Sequence, residues 1–272
     1  MLTRVAIVGL FALLTWLERR YPLRRDVEPK AVRASRNLAL AALAAVTVQA
    51  IEIPLVRPLA VLVEARRWGL TQAVAAPPWV AAALALLLLD YTLYVWHVLT
   101  HRVPWLWRLH VVHHVDRDLD ASTALRFHAA ELAASVPWRA AQVLAIGVSP
   151  QVLALWQTCV LGSILFHHAN VRLPAALEQA LNLVLVTPRM HGIHHSAVRA
   201  HTDSNWSSGL AIWDRLHGTF RSDVPQETIT IGVPAYSRAD DVTFTKVLAL
   251  PFVRQRPSWE SPIRSVSTHR PS

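Results

Sequence analysis

The residues of this chain that can do chemistry are its histidines, and they are not scattered. Twelve of the fourteen fall between His97 and His201. They run His97-x3-His101, His110-x2-His113-His114, His167-His168 and His191-x2-His194-His195. Residues three or four apart share one face of an α-helix, so each spaced group can aim two or three imidazoles at one point. Neutral imidazole suits iron, zinc or copper. The pattern offers more imidazoles than one ion can take, which implies two metal ions. A centre with almost only nitrogen donors is open to zinc-dependent hydrolysis or isomerisation. It is also open to a pair of irons that activates dioxygen to attack a lipid C–H bond, which suits an apolar chain better. A non-catalytic protein that has kept the fold is the third alternative.

The elements that must position these histidines belong to a membrane protein. The 272 residues are 53% hydrophobic with only 8 glycines, and mean hydropathy is +0.30, too apolar for an ordinary soluble enzyme of this size. The formal charge of +9 lies mostly between or just after apolar runs. That placement fits a membrane surface and argues against nucleic acid. The single cysteine, Cys159, sits inside an apolar run, so no disulfide forms within the chain and thiolate ligation is disfavoured.

Val5 to Leu17 is apolar and is followed by Glu18-Arg19-Arg20 rather than a small-x-small cleavage site, so a retained anchor is expected. The loop from Arg19 to Arg36 holds seven Lys/Arg against two acids, which places it in the cytoplasm. Leu38 to Val63 and Trp79 to Leu99 are each long enough to cross the bilayer. Asp90 lies in the second of these spans and should face the protein interior. Leu132 to Phe166 is apolar but broken at Gly147-Val148-Ser149-Pro150. A single crossing there would put His168 and His114 on opposite sides, whereas a hairpin keeps every histidine cytoplasmic. The expected fold is all-α: an integral-membrane helical bundle of about four membrane-spanning or hairpin helices under a cytoplasmic, histidine-rich helical cap. Residues 1–253 form one membrane-embedded catalytic domain with its histidine core at 90–219, and 254–272 is expected to be a disordered polar tail. There is no internal repeat and no Gly-rich phosphate loop.

From Asp90 to Thr219 the chain resembles the fatty acid hydroxylase/sterol desaturase superfamily, integral-membrane enzymes with histidine boxes and a non-haem di-iron centre. Asp90-x3-Tyr94-x2-His97-x3-His101 is similar to the first box, and Pro104-x-Leu106-Trp107-Arg108-x-His110-x2-His113-His114 to the second. Asp120-x2-Thr123-Ala124-x-Arg126-Phe127-His128-x2-Glu131 resembles the segment that follows. Phe166-His167-His168-Ala169-Asn170 resembles the His-x-Asn element, and Thr187-Pro188-Arg189-Met190-His191-x2-His194-His195 the last box. Thr202-Asp203-Ser204-Asn205-Trp206 and Trp213-Asp214-Arg215-Leu216-x-Gly218-Thr219 are similar to the closing segment. The sequence departs from the family at Ser207-Ser208 before Gly209, at His217 and at Ala129; these touch the local backbone of the cap rather than the boxes.

The resemblance implies nine metal ligands: His97, His101, His110, His113, His114, His168, His191, His194 and His195. His128 is a further candidate, with a supporting hydrogen bond to a ligating residue as its alternative. Asn170 is implied as a holder of metal through water or as support. Asp90, Arg108, Glu131, Asp203 and Asp214 are implied to orient imidazoles through the second ring nitrogen, with a salt bridge between Arg108 and Asp214 as the plainer alternative. His201, His217 and His269 are expected at the surface. The implied cofactors are two iron ions with dioxygen as co-substrate. The implied partners are a fatty acyl or sterol-like lipid and a separate electron donor protein, since the chain carries no dinucleotide fingerprint. The reaction is hydroxylation or desaturation.

Overall fold

The structure, a computed structural model, describes residues 2–260. It is helical throughout, and among the described residues only isolated β-bridges occur. The helices are α1 (Leu2–Arg20), α2 (Lys30–Thr47), α3 (Ile53–Arg66), α4 (Leu70–Ala73), α5 (Pro78–Arg102), α6 (Pro104–His114) and α7 (Ala129–Ile146). They continue with α8 (Pro150–His168), α9 (Ala175–Asn182), α10 (Pro188–His194), α11 (Arg199–Thr202), α12 (Ile212–Leu216) and α13 (Phe244–Ala249).

Among the described residues, two stretches are long and apolar enough to cross a membrane: Lys30–Ala73, with mean hydropathy 1.9, and α5, with 1.7. The first is α2 and α3 joined through a π-helical turn at Val48–Glu52. Pro54 and Pro58 follow it; proline lacks the N–H that would continue the α ladder and clashes with the carbonyl one turn back, which the wider turn relieves. Large apolar side chains point outward along these helices, as at Val46, Leu55 and Val61, and along α1 and α8 at Val8 and Leu155.

The run from Leu132 to Phe166 is the hairpin that the sequence requires. α7 ends on Gly147 at φ +85°, a conformation that costs glycine little. Ser149 Oγ then accepts from Val152 N–H at 3.3 Å and Pro150 opens α8, both regular helix-start devices. Gly69 backs onto this turn so closely that a Cβ there would strike the Gly147 backbone. His168 therefore returns to the end of the molecule that holds His114.

A buried apolar core joins α3, α5, α7 and α8 through Val56, Ala60, Leu89, Val143 and Leu153. At the other end, a buried polar network fixes α2 to the loop after α6. Arg33, fully buried, contacts Asp116 at 3.2 Å and also Asp120. Asn37 donates to Asp116 at 2.8 Å, and Arg126 donates to Asn37 Oδ1 at 2.7 Å. Burial alone would raise Asp116, but Arg126 and Arg33 together with the Asn37 amide outweigh it and hold the carboxyl below its ordinary 3.8.

Residues 254–260, expected to be disordered, dock on the body of the protein. Trp107 Nε1 donates to Ser258 Oγ at 3.0 Å, Arg256 donates to Asp241 at 2.8 Å, and Gln255 donates to Arg108 O at 2.9 Å. These anchors hold 254–260 against α6 and the loop before α13. Residues 261–272, including His269, lie outside the described residues.

Candidate metal centre

Four helices meet to build the site. α5 supplies His97 and His101 four residues apart, α6 supplies His110, His113 and His114, α8 ends on His168, and α10 with its C-terminal residue supplies His191, His194 and His195. Two groups form. His97, His101, His114 and His194 offer ring nitrogens that all lie within 4.8 Å of one another, and so do His113, His168, His191 and His195. His110 stands beside the first group, its ring 5.2 Å from His97, 5.0 Å from His101 and 4.9 Å from His114. The two groups adjoin: the His114 and His195 rings stack at 4.4 Å and those of His191 and His194 lie 5.1 Å apart.

The outer ring nitrogens are fixed by acceptors. His97 Nδ1 bonds Trp206 O at 2.6 Å, His168 Nδ1 bonds Ile164 O at 2.8 Å, His194 Nδ1 bonds Ser204 O at 2.8 Å and His113 Nδ1 bonds Arg126 O at 3.3 Å. His110 Nδ1 bonds Glu131 Oε1 at 2.7 Å. A carbonyl oxygen only accepts, so those four Nδ1 atoms carry the hydrogen and each Nε2 turns a lone pair inward. The inward atoms crowd: Nε2 of His168 lies 3.0 Å from that of His113 and 3.1 Å from that of His191, which is 3.1 Å from that of His195. Nε2 of His101, His110, His114 and His194 is buried with no partner. Converging, unsatisfied lone pairs in a dry site are costly unless a cation accepts them. Burial, reinforced by neighbouring imidazoles, pushes His113, His114, His191 and His195 well below 6.5, and burial takes His194 down to about 3. Neutral imidazole is the form that ligates metal. The donor set thus fits one divalent cation in each group.

The other expected residues divide. Glu131 Oε1 lies against His110 Nδ1 at 2.7 Å, the one expected carboxylate that meets an imidazole of the two groups. Asp214 and Asp90 bond no imidazole and act on the loop between α11 and α12. Asp214 accepts from Trp206 N–H and Ser207 N–H at 2.9 Å each, and so holds the carbonyl that fixes His97. Asp90 accepts from Trp213 Nε1 at 2.7 Å and Leu210 N–H at 3.0 Å, and lies where any Cβ on Gly209 would go. Asp203 is a correction, because it faces Arg102 at 3.9 Å and Arg199 at 3.7 Å near the surface. Arg108 is another: it donates to Pro251 O at 2.5 Å and to Val253 O, and pairs with no carboxylate. Asn170 clasps the segment after α1, accepting from Arg24 N–H at 2.8 Å and donating to Arg24 O at 2.9 Å, which leaves its amide no freedom to face a metal.

His128 does not ligate either. It caps α7, Nδ1 accepting from Ala130 N–H at 3.0 Å while Nε2 donates to Leu248 O at 3.1 Å. His201 is half-buried against Ser196, and His217 is exposed and stacked on Tyr94 at 5.0 Å. His167, which has no expected role, is fully buried with its ring 4.1 Å from that of His191 and with neither nitrogen partnered. Its signal in the sequence was only its place beside His168. A cavity of about 170 Å³ runs from His113, His168 and His191 between α5, α7 and α8, walled by Leu93, Trp96, Phe127, Val160 and Ile164.

Histidine pairs at helical spacing on converging helices form two groups that could each hold a metal ion, beside an apolar slot. Residues 82–219, just over half of the chain, match the fatty acid hydroxylase family, and the chain belongs to that family. It is 32% identical over 173 residues to an ornithine lipid hydroxylase of Rhizobium tropici, covering 63% of this chain and 50% of that protein. It is 33% identical over 146 residues to human alkylglycerol monooxygenase, covering 53% of this chain and 31% of that one. With human cholesterol 25-hydroxylase it shares 29% over 145 residues, half of each chain. The chain therefore spans half the length or less of these curated relatives. No solved structure matches it.

Proposed function

We propose that this protein is a membrane-bound lipid hydroxylase whose two histidine groups each hold an iron ion. The observation that carries the reading is the pair of buried imidazole groups at the head of an apolar cavity. In this reading His97, His101, His110, His114 and His194 bind one ion, and His113, His168, His191 and His195 the other. Two irons supply reduction of dioxygen and cleavage of a C–H bond, so that R–H, O2, two electrons and two protons give R–OH and water. Loss of a second hydrogen in place of oxygen transfer gives an alkene. The electrons come from a separate donor protein, for which the basic face after α1 offers a docking charge.

The chain's own residues do the rest. Leu93, Trp96, Phe127, Val160 and Ile164 exclude water and hold an acyl or sterol-like chain against the second histidine group. Glu131 and the carbonyls of Trp206, Ser204, Arg126 and Ile164 lock the imidazoles in the ligating tautomer. α1, the α2–α3 span, α5 and the α7–α8 hairpin form the membrane body, with the metal centre on its cytoplasmic side. The relatives' printed activities, hydroxylation of an ornithine lipid and of cholesterol and oxygenation of an alkylglycerol, support a lipid substrate.

Three measurements test this reading. Purified protein should carry about two irons per chain by metal analysis, and the lipids of cells with an active copy should gain one oxygen or lose two hydrogens by mass spectrometry. His113→Ala and His194→Ala should abolish that mass change. Protein that holds zinc, and that takes up no oxygen when reconstituted with iron and a reductant, would overturn it in favour of a zinc-dependent hydrolase or isomerase.

A further inference from the structure

At the end of the cavity away from the histidines stands a charged residue that nothing above uses. Arg139 is the only charged residue of α7 beyond Glu131 in its first turn, and α8 has no acid, lysine or arginine. Arg139 and Trp156 both line the cavity, with the guanidinium carbon 5.4 Å from the Trp156 ring centroid. Trp156 is 4% exposed and its indole N–H has no partner. Arg139 Nε approaches Glu52 Oε1 at 3.3 Å without completing a hydrogen bond. The unmet groups at this end of the slot are therefore all donors.

Glu52 is delivered by the π turn between α2 and α3, a deformation that recurs at functional sites. It is itself buried and accepts from Gln157 Nε2 at 3.0 Å. Its charge matches that of Arg139, so the pair is neutral, and a further anion would enter a dry site uncompensated. An ionisable residue within an apolar hairpin faces a polar partner or a polar ligand.

We propose that Arg139 and Trp156 form a subsite for an uncharged hydrogen-bond acceptor of the lipid, an ester or amide carbonyl, held by the unmet donors of the two side chains. The proposal rests on the lipid hydroxylase reading. Glu131, beside the metal groups, and Arg139 both line the cavity from α7, eight residues apart, so the subsite stands about 12 Å along the helix from the histidine end. The subsite would fix which carbon of the chain is oxidised by measuring from the carbonyl.

The test is lipid binding by the purified full-length protein, read by native mass spectrometry in detergent and independent of turnover. The probes are an octadecanoic acid methyl ester, the free acid and octadecane. The ester should bind wild-type protein more tightly than octadecane, and Arg139→Met should weaken the ester about tenfold while leaving octadecane within about twofold. Trp156→Phe should weaken the ester by a smaller factor. Should Arg139→Met fail to fold, Arg139→Lys, which keeps the charge beside Glu52 but loses the planar fork, carries the same comparison. Equal loss for ester and octadecane, or tighter binding of the free acid than of the ester, overturns the subsite. Arg139-dependent ester binding without oxidation of any lipid leaves the subsite standing and removes the hydroxylase reading.

Discussion

At the scale of single residues, charge pairs divide into those that serve the metal groups and those that hold the frame. Glu131 belongs to the first kind: its carboxylate fixes the His110 ring at 2.7 Å. Glu131→Gln keeps the size but weakens the acceptor, and metal affinity measured by competition with a chelator should fall roughly 10-fold or more. Asp116 belongs to the second kind. Asp116→Asn leaves Arg33 and Arg126 undercompensated in a buried site and should cost about 3 kcal/mol of unfolding free energy. Because the folded carboxyl is held below 3.8, the stabilisation it gives is complete above that value. It drains away as pH falls through and below it. The gap in unfolding midpoint between wild type and variant should therefore be constant near neutrality and close in acid.

The histidines were legible because ligand spacing is local: a helix period is enough to place His97 with His101 and His110 with His114. Carboxylate roles were not, because they depend on which distant backbone arrives. Asp214 and Asp90 receive N–H groups of the 206–213 segment, and no spacing announces that. His128 carried a readable clue, standing three residues before Glu131 at the start of α7 in the manner of a helix cap.

At the scale of elements, the hairpin was readable from one demand, that His168 and His114 share an end. Gly147 and Gly69 enforce it through close backbone approach: a Cβ on Gly147 would lie 2.7 Å from Trp68 O at φ +85°. Gly147→Ala should destabilise the protein by at least about 1 kcal/mol. Thermal unfolding followed by circular dichroism checks it, and a variant as stable as wild type would show that the turn is replaceable. The π turn was not legible. Pro54 and Pro58 signal a disturbed helix, but not which disturbance follows, nor that it brings Glu52 to Arg139 and Gln157 on distant helices.

At the scale of the whole molecule, outward apolar side chains and two long apolar helices meet a polar end that carries the histidines. The protein should stay with the membrane after alkaline carbonate washing and leave it in detergent; release by carbonate would refute the embedded arrangement. The last described residues were misread from composition, since Arg and Pro suggested a free tail. Their docking depends on Trp107 and Arg108, which lie some 150 residues earlier in the chain.

The two metal groups also share a timetable. Until α10 is made, the first group lacks His194 and the second lacks both His191 and His195. The carbonyls that steady His194 and His97 belong to Ser204 and Trp206, and Asp214 and Thr219 in turn secure that segment. A ribosome must therefore release the chain to about residue 195 before the second group is complete, and to about residue 219 before the first is steadied. Under the proposed reading, each ion would bind only after the apolar helices α1 to α8 are made.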